Sequence, residues 1–131
     1  KQKGTIRGMH FQKEPYAEDK IIQCIRGSVF DVVVDMRKDS KTYGQWIGEQ
    51  LSEENKKMMY APKGCAHGFQ TLVDDCELLY FMSEFYSAEK SFGVRWNDPL
   101  FNIQWPLPDP ILSPQDSSRP LIQQDDLQMP V

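Results

Sequence analysis

The chain is poor in the residues that most often advertise a function. Its 131 positions hold only two histidines, His10 and His67, and three cysteines, Cys24, Cys65 and Cys76, with no Cys-x-x-Cys pair. A metal site needs three or four ligands at workable spacing. Two distant histidines without a His-x-His pair do not supply them, so no catalytic metal is expected. An odd set of unpaired cysteines points to reduced, buried thiols in a cytoplasmic protein rather than to a disulfide framework. No apolar run approaches the length of a membrane span. No Gly-x-Gly-x-x-Gly or P-loop pattern occurs, which argues against a Rossmann or Walker phosphate site. The net charge of −4 argues against the basic face of a nucleic-acid binder. It leaves room for the two or three well-placed cations that a nucleotide ligand requires. The chain also lacks an initiating methionine, opening at Lys1 in the run-up to a strand, which suggests a piece of a longer protein.

What is present fits a soluble globular domain: 40% hydrophobic and 26% charged residues, with nine prolines and eight glycines spread along the chain. That spread suits many short elements joined by turns. Alternation with period two predicts strands over 5–12, 20–26, 28–37, 43–50, 57–61, 67–73 and 77–84. In the first, Thr5, Arg7, Met9 and Phe11 fall on one face and Ile6, Gly8, His10 and Gln12 on the other. In the third, Phe30, Val32, Val34 and Met36 share a face, and Asp31, Val33 and Asp35 share the opposite one. Two acids there suggest a wet pocket or solvent. Residues 52–55 (Ser-Glu-Glu-Asn) look like one capped helical turn, and Ser113-Pro114 like a helix start with Ser113 as N-cap. The expected fold is therefore all-β: about seven short strands in an antiparallel barrel or sandwich, a single domain over 1–131 with short helical turns towards the C-terminus. A small barrel of this kind can hold one small ligand.

Each histidine sits among small residues, in Arg-Gly-Met-His-Phe-Gln and Gly-Cys-Ala-His-Gly-Phe. Glycine beside a strand histidine allows a ligand or another backbone to approach closely. Either histidine is equally readable as a hydrogen-bonded barrel residue, and Tyr80, inside Glu-Leu-Leu-Tyr-Phe, as ordinary core packing. Without a metal or cofactor, the chemistry open to these groups is proton transfer. Histidine is the commonest general base, works best with a carboxylate orienting its second nitrogen, and a buried phenol can donate a proton.

The segments IRGMHFQ (6–12), KIIQCIRGSVFDVVVDMRKDSKTYGQW (20–46), LSEENKKMMYAPKGCAHGF (51–69), ELLYFMSEFYS (77–87), GVRWNDP (93–99) and WPLPDPILSPQD (105–116), followed by Arg119-Pro120-Leu121, cover nearly the whole chain in order. In these segments the chain resembles the dTDP-4-dehydrorhamnose 3,5-epimerases, a branch of the cupin-like jelly rolls. The resemblance implies epimerisation of a nucleotide-linked 4-keto-6-deoxy sugar at C3, C5 or both, without a cofactor, in a homodimer. It implies His10 as the base, Asp116 as its carboxylate partner, Tyr80 as the acid and Lys20 as the group that meets the enolate. His67 would line the same pocket, Arg7 would face the phosphates or sugar, and Phe85 and Tyr86 would lie near the sugar and base. Members of the family carry roughly fifty more residues before the first strand, some of which bind nucleotide and cross to the partner subunit. Phe81 stands where a lysine often follows the acid tyrosine, and Phe85 where many members have tyrosine, which bears on substrate choice. A 3,4-keto isomerase of the same sugars and a non-catalytic sugar-nucleotide-binding barrel are the competing readings.

Overall fold

The structure is a computed structural model that describes residues 2–122; Lys1 and residues 123–131 lie outside it. Eight strands follow one another: β1 (Ile6–Gln12), β2 (Lys20–Arg26), β3 (Ser28–Asp35), β4 (Trp46–Ser52), β5 (Met58–Ala61), β6 (Cys65–Thr71), β7 (Glu77–Met82) and β8 (Ser91–Gly93). A 3-10 turn at Ala88–Lys90 precedes β8, and one short helix, α1 (Pro114–Ser117), follows it. Seven strands lie where period-two alternation places them: β2 keeps its bounds, and the ends of the others move by at most three residues. β8 is new: three residues are too few to show a period. Residues 52–55 form a turn without a helix, closed by Asn55 N–H donating to Ser52 Oγ and Ser52 N–H donating to Asn55 Oδ1. At α1, Ser113 accepts from the Asp116 N–H and Pro114 takes the first helical position.

The strands make two antiparallel sheets, one of five in the order β4-β3-β6-β1-β8 and one of three in the order β5-β2-β7. Between them lies a core of Ile22, Cys24, Val29, Val33, Leu51, Met59, Ala61 and Phe69, with Leu78 and Tyr80 packed against it. The other face of the five-stranded sheet is also buried. Met9, Phe11, Val32, Val34, Met36 and Ala66 meet Val94, Phe101 and Ile103 from the irregular segment after β8. Sheet faces that both exclude water explain the near-continuous apolar run of β3. Both Asp31 and Asp35 are buried, which excludes open solvent on that face but not a pocket, since Asp31 pairs with His67 between the sheets. Asp35 closes the loop after β3, accepting hydrogen bonds from Arg37, Ser40 and Thr42.

The first strand departs from simple alternation. Arg7 pairs with Phe69 and His10 with His67, so three steps along β1 match two along β6. That bulge puts Arg7 and His10 on the same, inward face, where strict alternation had put them on opposite ones. Its cause is a close approach of two backbones. Gly8 has φ +134°, and a Cβ on it would lie 2.6 Å from the Gly68 Cα; a Cβ on Gly68 would lie 2.7 Å from the Arg7 carbonyl oxygen. The glycines beside the two histidines therefore serve the approach of strand to strand.

Candidate active site

The open mouth between the sheets forms a cavity of about 490 Å³ lined by Arg7, His10, Lys20, His67, Phe69, Tyr80 and Met82. Arg7 and His10 come from β1 and His67 from β6, all in the large sheet. Lys20 starts β2, and Tyr80 lies on β7 of the small sheet, so it faces the histidines from across the cavity. A neighbouring cavity of about 250 Å³ shares His10, Lys20 and Met82 and adds Gln12, Glu18, Tyr86, Gln115 and Arg119. A larger open groove of about 780 Å³, between Lys13, Arg37, Lys38 and Lys63, holds neither histidine and none of the site residues foreseen above.

Two histidine–carboxylate pairs stand in the wall. His10 Nε2 is 2.7 Å from Asp116 Oδ1, delivered by α1 from 106 residues away, while the Gly8 N–H donates to Asp116 Oδ2 at 3.2 Å. Burial pushes the Asp116 carboxyl up, but the hydrogen bond and charge of His10, the Gly8 N–H and Arg119 outweigh it and hold the group below its ordinary value. His67 Nε2 is 2.7 Å from Asp31 Oδ1, with both side chains almost wholly buried. Asp31 Oδ2 is buried with no hydrogen-bond partner. The His10 side chain, by contrast, is 38% exposed and reachable from the cavity. Tyr80 meets His67 edge-on, their ring centroids 5.8 Å apart. Burial, reinforced by the Asp31 charge and only partly opposed by Arg7, pushes the phenol well above its ordinary value, so it is protonated at neutral pH. Lys20 Nζ lies 3.5 Å from Glu18 Oε1, both side chains largely buried. Burial lowers the ammonium and the Glu18 and Asp31 charges oppose it; burial likewise raises Glu18 against the pull of Lys20.

Six of the eight residues foreseen are thus gathered: Arg7, His10, Lys20, His67 and Tyr80 around one cavity, with Asp116 behind His10. Tyr86 lines only the smaller cavity and is largely exposed. Phe85 is 86% exposed and contributes its carbonyl, which accepts from Gln12 Nε2. Asp31 and Glu18 were missed. The acid embedded in Val-Phe-Asp-Val-Val-Val was visible, but nothing in one sequence says which histidine it faces, and Glu18 sits in a loop without periodicity. Among the described residues, no three His, Cys, Asp or Glu side chains gather as a metal site would need.

The family model of dTDP-4-dehydrorhamnose 3,5-epimerase matches residues 1–124. The chain belongs to this epimerase family. It is 48% identical over 114 residues to the dTDP-4-dehydrorhamnose 3,5-epimerase of Shigella flexneri, covering 87% of the chain and 63% of that relative. The family's solved structures agree. The Bacillus anthracis epimerase crystallised with TDP and PPi superposes with a TM-score of 0.90 at 50% identity, covering 92% of the chain and 69% of that structure. The Legionella pneumophila epimerase, in complex with dTDP-4-keto-L-rhamnose, superposes at 0.89 with 40% identity, covering 96% and 68%. The fold is accordingly the cupin-like jelly roll of these epimerases. The chain spans less than two thirds of the length of the curated relatives it matches first, 63% and 62%.

Proposed function

We propose that the chain carries the catalytic barrel of an epimerase acting on a dTDP-linked 4-keto-6-deoxy sugar, in the deoxysugar biosynthesis that supplies rhamnose. The observation that carries this reading is a carboxylate-backed histidine and a protonated phenol, mounted on opposing sheets around one cavity. Epimerisation beside a ketone needs that layout. His10, with Nε2 engaged by Asp116, takes the proton from C3 or C5 on Nδ1. The C–H electron pair moves into the ring as the enolate, and its oxygen charge is met by donors already in place, Lys20 and His67. Tyr80 then returns a proton on the opposite face, inverting the centre. Nothing is oxidised or reduced overall, so the reaction calls for no redox cofactor. Arg7 at the cavity mouth suits the phosphates, and Tyr86 and Phe85, exposed at the rim, suit the sugar and base. The three free cysteines fit a cytoplasmic setting. The apolar outer face of the small sheet fits a homodimer.

Solvent deuterium exchange followed by NMR tests the reading. With dTDP-4-keto-6-deoxyglucose in D2O, label should enter at C3, C5 or both, which also counts the centres. His10→Ala should cut exchange at least about a hundredfold while circular dichroism stays that of the parent. A folded, complete protein that exchanges neither carbon would overturn the assignment.

A further inference from the structure

The C-terminal helix delivers more than Asp116. Two residues beyond α1, Arg119 turns back over β8 and lays its guanidinium on the Gly93 backbone. A Cβ at position 93 would sit 2.4 Å from its Cζ and 2.6 Å from its Nε. The arginine side chain is only 16% exposed, and its Nε stands 3.6 Å from Asp116 Oδ1. That Nε is buried and has no hydrogen-bond partner. At this distance it does not bind the carboxylate by a hydrogen bond. It acts on it by charge, from an Nε that is itself shut off from solvent. We infer that Arg119, seated in the notch at Gly93, is a positioning residue for the proton-abstracting pair, holding Asp116 ionised and aimed at His10.

This rests on the reading of His10 as base. It adds a cation that is neither the base, the acid nor the enolate donor. Asp116 faces His10 and the Gly8 N–H on β1 and Arg119 beyond α1. The other titratable groups around the smaller cavity are Glu18, Lys20 and Tyr86. Arg119 is one of four influences that bring the Asp116 carboxyl down against the upward push of burial. Its removal therefore moves the titration of Asp116 upward.

Carbon-13 NMR of the Asp116 side-chain carboxyl, in the full chain, measures this without any turnover. Arg119→Met should raise the midpoint by about half a pH unit or more. Arg119→Lys, which keeps the charge, should stay nearer the parent. With substrate, the acidic limb of kcat should move upward in the Met variant while KM changes less than about twofold. A midpoint unmoved in Arg119→Met overturns the inference. If KM then rises tenfold, the arginine grips the substrate's phosphates instead. A parent that fails to exchange substrate deuterium counts against the proposed reaction, and the carboxyl titration still decides the place of Arg119.

Discussion

His10 and His67 each have an aspartate oxygen at 2.7 Å, from Asp116 and Asp31, yet their surroundings give them different uses. His67 and Asp31 are sealed in the wall, so that imidazole can offer a hydrogen bond to a sugar oxygen but has little freedom to exchange protons with water. His10 is more than a third exposed and is backed by a carboxylate that further donors keep ionised. A proton removed by His10 can therefore escape to solvent, the requirement for deuterium to appear in the sugar. Tyr80 has the opposite character, a half-buried side chain whose phenol holds its proton. Tyr80→Phe should accordingly reduce net inversion by about a hundredfold while deuterium still enters at the carbon His10 attacks. The ratio of washed-in deuterium to inverted product, followed by proton NMR, measures the split. Equal loss of both would mean that Tyr80 serves binding or packing rather than reprotonation.

At the scale of the element, the site depends on where β1 lies against β6. The Gly8–Gly68 approach lets the bulge form, and the bulge turns Arg7 and His10 inward together. Gly68→Ala places a methyl group 2.6 Å from the Met9 sulfur and 2.7 Å from a carbonyl oxygen. It should cost about 3 kcal/mol, measured by denaturant unfolding, and should lower exchange in whatever fraction still folds. The loop after β3 makes a second test. Burial pushes the Asp35 carboxyl up, but hydrogen bonds from Arg37, Ser40 and Thr42 dominate and hold it far below its ordinary 3.8. A group depressed in the folded state stabilises fully above its unfolded value and loses that contribution as pH falls towards the folded one. Asp35→Asn should therefore destabilise by about 2 kcal/mol at neutral pH, and the gap to the parent should narrow below pH 3.8, as thermal melts across pH would record. These elements also mark the limit of what one sequence discloses. Alternation in residues 20–26 and 77–82 was legible because the small sheet buries one face only, against the shared core. The β1 bulge was not, because it depends on Gly68, sixty residues away. The pairing of His10 with Asp116 came only through likeness to a family, because nothing local ties α1 to β1.

On the scale of the whole molecule, the two sheets are unequally covered. The large sheet has the core on one face and the segment after β8 on the other. The small sheet has the core on one face only. Its outer face carries a row set by register: Tyr60, Ile21 and Phe81 lie side by side across β5, β2 and β7. Met58 and Leu79 flank Gln23 in the next row, and Ile25 lies beyond on β2. Tyr60, Phe81 and Met58 are all more than half exposed. Scattered apolar residues on a surface need no explanation, but a contiguous group spanning three strands does. A two-fold axis through such a face sets the same patch of each copy against the other, residue i meeting j and j meeting i, and closes the assembly at two copies. A second copy is therefore the occupant that we propose. Charge is the sharpest probe, because a glutamate in the contact removes apolar area and buries an unpaired charge, and two-fold symmetry does so twice. Phe81→Glu should convert the dimer to monomer in sedimentation velocity, raising the dimer dissociation constant by at least about a hundredfold. Ile47→Glu, an exposed apolar position on β4 of the large sheet, should leave the dimer unchanged. A parent that sediments as a monomer at every concentration, or a Phe81 variant as dimeric as the parent, would mean that something other than a second copy covers this face.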